Sequence, residues 1–136
     1  MNFKKYLLGA DSDPSVGLLA LRVFIGAAML THGWGKMFGG LGKFTGFVAS
    51  LGVPFPHVMA FLAAFAESFG ALLLAIGLLT RPAAFLIAAT MAVAALGAHG
   101  GDGFAVQEKA WLYFFPAVLF LLKGGGKWSL DRRLFR

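Results

Sequence analysis

Apolar residues fall into four long runs, separated by short segments rich in glycine, proline and charge. The runs cover residues 16–38, 57–79, 82–98 and 104–122. A helix needs roughly 20 residues to cross the hydrocarbon core of a bilayer, so the first two runs are long enough and the last two are short. The fourth reaches spanning length only with 104–109 included, and a helix lying in the membrane interface is its alternative. The pattern predicts four transmembrane helices.

The connection between the first two runs, residues 39–55, carries a weaker pattern. Glycines interrupt it, yet its apolar residues recur at helical spacing: Leu41, Phe44, Val48 and Leu51. We predict a short amphipathic segment lying on, or dipping into, the outer face of the membrane. An irregular glycine loop fits the same pattern equally well.

Composition supports a membrane protein rather than a soluble one. Hydrophobic residues make up 59% of the 136-residue chain and charged residues 13%. The charged share is about half that of an ordinary globular domain. The length predicts a single domain. The absence of cysteine excludes thiol redox chemistry and thiolate metal sites on this chain. No nucleotide-binding or haem-attachment motif is present, so no cofactor is encoded by a recognisable motif.

The net charge of +6 is distributed as membrane topology requires. One side of the predicted bundle collects eight cations: Lys4, Lys5, Arg81, Lys123, Lys127, Arg132, Arg133 and Arg136. The opposite side has three: Lys36, Lys43 and Lys109. The positive-inside rule therefore predicts that both termini are cytoplasmic, with the first run retained as a span rather than cleaved as a signal. The basic tail is interpreted as a topology anchor that contacts anionic lipid, not as a nucleic-acid site.

Three polar residues share one face of the first span. Arg22, His32 and Lys36 fall within an arc of roughly 80° at the helical repeat. Polar groups inside a membrane are costly, so this face should point towards other helices. Lys36 can instead extend to the outer interface, and His32 can serve only as a hydrogen-bonding partner of a neighbouring helix.

Glu67 lies in the middle of the second span, on a face of small residues. An uncompensated carboxylate there costs several kcal/mol, so Glu67 should be paired or protonated. Counting the helical rise makes His32 its nearest partner in depth, whereas Arg22 reaches it only through its long side chain. The pairing either holds two helices in register or forms a proton-accepting or ligand-holding site.

A second polar patch is predicted near the outer face, with His99, Asp102 and Glu108 as members. His99 and Glu108 are candidate ligand-binding residues. The spacing fits no strong metal motif, so no metal site is predicted. Ordinary solvated loop residues are the alternative for this patch.

Several motifs together suggest a family. They are His32-Gly33-Trp34-Gly35-Lys36, Glu67-Ser68-Phe69-Gly70-Ala71, Gly77-Leu78-Leu79-Thr80-Arg81, Glu108-Lys109-Ala110 and Trp128-Ser129-Leu130-Asp131. Over residues 16–131 the chain resembles the DoxX family of small membrane proteins, departing from the usual pattern at Ala71, where a second glycine is expected. The resemblance implies an all-α, integral membrane four-helix bundle in the bacterial plasma membrane.

The resemblance also implies a function linked to thiosulfate:quinone oxidoreductase and to soluble redox partners. We expect a quinone-linked membrane subunit in which Glu67 and His32 hold or protonate a quinone oxygen and Arg22 and Lys36 help to bind it. The electrons would come from a protein partner. A non-catalytic membrane anchor or assembly subunit is one alternative. A small-solute or lipid carrier, which would need a homo-oligomer, is the other.

Overall fold

The structure is a computed structural model that describes residues 14–135, within which every regular element is a helix. Four of the helices are long and apolar enough to cross a membrane. In chain order the helices are α1 (Ser15–Phe38), α2 (Leu41–Ser50), α3 (Pro56–Ile76), α4 (Thr80–Ala98), α5 (Phe104–Lys123) and α6 (Leu130–Leu134). The predicted all-α architecture with four membrane helices is confirmed for this part of the chain. The orientation of the termini stays a prediction.

Two helix boundaries differ from the predicted ones by more than one residue, each for a local reason. Helix α3 ends at Ile76 instead of residue 79 because Gly77 adopts a left-handed φ of 73°, a conformation that stops helices. Helix α4 begins at Thr80, two residues early, because the Asp131 carboxylate accepts hydrogen bonds from the N–H groups of Leu79 (2.7 Å) and Thr80 (2.9 Å). These contacts satisfy amide groups that a helix N-terminus leaves unpaired.

The connection between α1 and α3 contains a helix rather than an irregular glycine loop. Helix α2 packs against α3 and buries Val48. Its placement at the membrane surface stays a prediction. The predicted contribution of Lys4, Lys5 and Arg136 to topology lies outside the described residues.

Alanines make up much of the interior of the bundle, together with a few large side chains such as Phe120 and Leu74, while many large apolar residues face outward. Buried alanines occur on α3, α4 and α5, and the exposed large residues form the surface that lipid would cover. Helix α1 approaches α3 at two glycines: a Cβ on Gly26 would lie 2.6 Å from the Ala71 carbonyl oxygen, and one on Gly33 would lie 2.1 Å from that of Glu67. Without bulk water to drive association, such close contact is what holds membrane helices together.

The consecutive long helices alternate in direction and give the bundle two distinct ends. We call the α2 end the one formed by α2 and the connection 99–103. We call the tail end the one formed by the connection 77–79 and residues 124–135. The polar residues predicted from sequence divide between the interior near the α2 end and the tail end.

Candidate functional site

Glu67 lies in a distorted turn of α3. Residues Ala66–Gly70 form a π-helical segment, and such segments inside α-helices occur frequently at functional sites. The neighbouring Ser68 is fully buried, and its hydroxyl donates a hydrogen bond to the Ala64 carbonyl at 2.6 Å. The Gly33 backbone lies directly against Glu67. The backbone position of Glu67 is therefore fixed by its own helix and by α1.

The partner of Glu67 is Lys36. The Lys36 Nζ lies 2.6 Å from the Glu67 Oε2, and the two side chains are 35% and 5% exposed. The same ammonium lies 4.6 Å from the centre of the Phe44 ring, within the range of a cation–π contact. Lys36 thus reaches Glu67 and the Phe44 ring, and its extension to the outer interface stays a prediction. Glu67 is therefore paired, as predicted, but its partner is Lys36 and not His32 or Arg22.

On one side of the ion pair is a cavity of about 210 Å³ between α1, α4 and α5. We call it the polar cavity. Besides Lys36 and Glu67, its titratable lining residues are His32, His99, Lys109 and Tyr113. The Tyr113 ring meets His32 edge to face, with centroids 6.2 Å apart. The structure therefore gathers the two predicted histidines around the predicted carboxylate.

On the other side is a cavity of about 310 Å³ between α2, α3 and α4, which we call the apolar cavity. Its wall from the α2 region consists of hydrophobic side chains: Phe44, Phe47, Val48 and Leu51. Lys36, Glu67, Ala94 and His99 line both cavities. The ion pair therefore stands at the boundary between a polar and an apolar compartment. This arrangement matches a molecule with a polar head and an apolar body.

The connection between α4 and α5 closes the α2 end beside these cavities. The His99 Nδ1 lies 3.1 Å from the Asp102 Oδ2, and the Gln107 side-chain amide donates to the His99 carbonyl at 2.9 Å. Glu108 does not join this group. It is exposed on α5 and lines a separate groove with Phe104 and Trp111. The predicted patch of His99, Asp102 and Glu108 is therefore divided. Of these three residues, only His99 lines the two cavities.

Arg22 lies at the tail end and lines neither cavity. Arg22 is 1% exposed, and its guanidinium donates to three backbone carbonyls, those of Ala75 (3.3 Å), Gly125 and Trp128 (3.2 Å). The predicted approach of Arg22 to Glu67 is wrong, because the returning chain after α5 supplies nearer acceptors. Sequence reasoning did not consider that segment as a partner.

Asp131 completes this tail-end cluster. Burial by itself raises the pKa of Asp131, but hydrogen bonds from Thr80 and the N–H of Leu79 and the charge of Arg22 together lower it below its ordinary value. The Asp131 N–H also donates to the Gly77 carbonyl at 2.8 Å. Residues 125–131 are thereby fastened to the connection between α3 and α4.

Residues 17–100 match the sequence profile of the DoxX family, which covers more than half of the chain and includes both Lys36 and Glu67. The chain belongs to the DoxX family. It is 36% identical to the inner membrane protein YphA of Escherichia coli (strain K12), over 98% of this chain and 100% of the relative. An uncharacterized membrane protein of Mycobacterium tuberculosis is 32% identical, over 94% of this chain and 86% of its own. No solved structure matches the chain.

In this DoxX protein the family motifs separate into two clusters. The motifs at His32–Lys36 and Glu67 meet at the two cavities, whereas those at 77–81 and 128–131 meet at the tail end. Tyr113 and Lys109 line the polar cavity but were missed. Their four-residue spacing places both on one side of α5, and it is the signal that could have found them.

Proposed function

We propose that this DoxX protein is a quinone-binding membrane subunit of a redox system in the bacterial plasma membrane, with both termini cytoplasmic. The quinone ring would lie in the polar cavity beside Lys36, Glu67 and His32, and its apolar tail in the apolar cavity. The observation that carries the proposal is the Lys36–Glu67 ion pair, in which Glu67 is buried and which lines both cavities at once.

The residues of the polar cavity suit a quinone because they can donate to a carbonyl oxygen and supply protons. The Lys36 ammonium and the His32 imidazole are donors within one cavity, and hydrogen bonds from charged groups are stronger than neutral ones. Reduction of a quinone to a quinol takes up two electrons and two protons. Glu67 and His32 can hold and pass protons in a region where water is scarce.

The electrons must come from elsewhere. The chain has no cysteine and no motif for a redox cofactor, so a partner redox protein is the electron donor in this proposal. The proposed part of this subunit is to bind the quinone, to orient its oxygens and to supply protons. The competing role is structural, in which Lys36 and Glu67 serve only to hold α1 against α3, as buried pairs do in some proteins.

The test is a titration of the purified protein in lipid nanodiscs with decylubiquinone. Wild type should bind saturably, and Glu67→Gln should weaken binding by roughly ten- to a hundredfold, as expected for the loss of a charged hydrogen-bonding group. Glu108→Gln is the matched control. It makes the same acid-to-amide change on α5, outside both cavities, and should leave binding unchanged.

A second variant separates binding from folding. His32→Gln lies outside the ion pair but within the polar cavity, so it should weaken quinone binding while leaving the unfolding midpoint near that of wild type. Absence of saturable binding to wild type would refute the proposal and leave the ion pair as a helix contact. Binding that survives both Glu67→Gln and His32→Gln would place the ligand elsewhere and would also refute it.

A further inference from the structure

The tail end contains a second pocket that takes no part in the proposed quinone chemistry. It has a volume of about 440 Å³ and is lined by cationic side chains, Lys127, Arg132 and Arg133, together with Trp128 and Ile76. We call it the tail pocket. It combines positive charge with an apolar wall, because Trp128 is 60% exposed and Ile76 is 41% exposed.

The tail pocket is built on a fixed segment of chain. Arg22 holds the carbonyls of Gly125 and Trp128, and Asp131 holds the amides of Leu79 and Thr80. The backbone that carries the cations at 127, 132 and 133 is therefore held in one arrangement. A loose basic tail would attract a negatively charged membrane surface without distinguishing one bound position from another.

The tail pocket also lies at the right level for lipid head groups. Ile76 is the last residue of α3, and α5 ends at Lys123, only four residues before Lys127. Among the described residues of this end, Asp131 is the one acid, and its carboxylate accepts hydrogen bonds from the N-terminus of α4. The pocket thus places the guanidinium groups of Arg132 and Arg133 where a helix leaves the hydrocarbon.

We propose that the tail pocket binds the phosphate head group of an anionic phospholipid, with the acyl chains lying along Ile76 and Trp128. Guanidinium groups bind phosphate oxygens through paired N–H donors, which suits Arg132 and Arg133. Tryptophan commonly occupies the interface between head groups and hydrocarbon. This lipid site is independent of the quinone proposal, because the two sites lie at different ends of the bundle and share no lining residue.

The experiment is native mass spectrometry of the full chain in detergent, titrated with dioleoylphosphatidylglycerol and separately with dioleoylphosphatidylcholine. Wild type should retain phosphatidylglycerol in preference to phosphatidylcholine. Arg132→Gln and Arg133→Gln should each lower the association constant for phosphatidylglycerol about five-fold. Lys123→Gln is the matched control, because it removes one charge at the same end but outside the pocket. Equal losses in all three variants, or no preference in wild type, would overturn the proposal.

Asp131→Asn distinguishes a fixed pocket from diffuse attraction. The substitution keeps every cation and makes the protein more positive, yet it weakens the contacts that fasten the tail to α4. We expect phosphatidylglycerol binding to fall, whereas unchanged or stronger binding would contradict the proposal. A competition experiment with inorganic phosphate separates a lipid site from a simple phosphate site. Phosphate should displace phosphatidylglycerol only weakly, whereas displacement by equimolar phosphate would contradict the proposal of a lipid site.

Discussion

The contact between α1 and α3 gives the sharpest prediction for stability, through Gly33→Ala. A Cβ at this position would lie 2.1 Å from the carbonyl carbon and oxygen of Glu67 and 2.5 Å from the Ser68 nitrogen. These are backbone atoms, so no side-chain rotation relieves the overlap. Ordinary contact begins at 3.4 Å, and the two helices must therefore separate locally by about 1.3 Å.

The expected cost is about 2–3 kcal/mol. Overpacking of a tight interior costs about 1–3 kcal/mol, and this overlap belongs at the upper end because both helix backbones are involved. The higher helix propensity of alanine returns less than ~1 kcal/mol. The same separation would stretch the 2.6 Å contact between Lys36 and Glu67 beyond hydrogen-bonding distance. Gly33→Ala should therefore weaken quinone binding as well as folding.

The assay is unfolding in mixed micelles by increasing mole fraction of dodecyl sulfate, followed by helical circular dichroism. Gly35→Ala is the matched control, since it makes the same change two residues along α1 with no atom within 4 Å of the added Cβ. Gly33→Ala should unfold at a clearly lower detergent fraction, and Gly35→Ala at the wild-type fraction or above it. Equal midpoints for the two variants would refute the close α1–α3 contact.

Three further predictions concern the tail end and the apolar cavity. The lowered pKa of Asp131 means that its stabilising contribution is complete above the ordinary aspartate pKa and is lost as the pH falls through the lower folded value. The unfolding midpoint should therefore drop on acidification more steeply in wild type than in Asp131→Asn, and parallel curves would contradict this. Gly77→Ala strains a φ of 73° and brings its Cβ to 2.5 Å from the Arg22 guanidinium, so it should lower stability by about 1–3 kcal/mol, measured by the same unfolding assay. Ala63→Phe should fill the apolar cavity and weaken binding of long-tailed quinones more than that of short ones in nanodisc titrations, and equal weakening would contradict that assignment.

Much of the fold was predictable because membrane helices leave a strong signal in the sequence. Long apolar runs located the four spans, and the need to pair a buried carboxylate singled out Glu67. Local backbone events were harder. The left-handed Gly77 and the capping of α4 by Asp131 depend on contacts between segments far apart in the chain. The observed end of α3 and the observed start of α4 therefore differ from the predicted ones.

The partners of the charged residues were the least predictable part of the site. Counting helical rise treats each helix as straight and isolated, and it favoured His32 and Arg22 as partners of Glu67. The actual partner, Lys36, lies one turn beyond His32 on the same face of α1, and the π-helical segment at 66–70 has no sequence signal of its own. Arg22 donates hydrogen bonds to the carbonyls of Gly125 and Trp128 instead. These residues lie in a segment without apolar periodicity, so the sequence pattern did not indicate them as partners.

The most direct test of the quinone site is photo-cross-linking with an azido-substituted quinone in nanodiscs, followed by peptide mapping. We expect labelling of residues that line the two cavities, on α1 near His32 and in the α2 region between Phe44 and Leu51, with loss of label when unmodified quinone is added in excess. Labelling confined to the outer groove of α5 at Phe104 and Trp111, or labelling that excess quinone does not reduce, would contradict it.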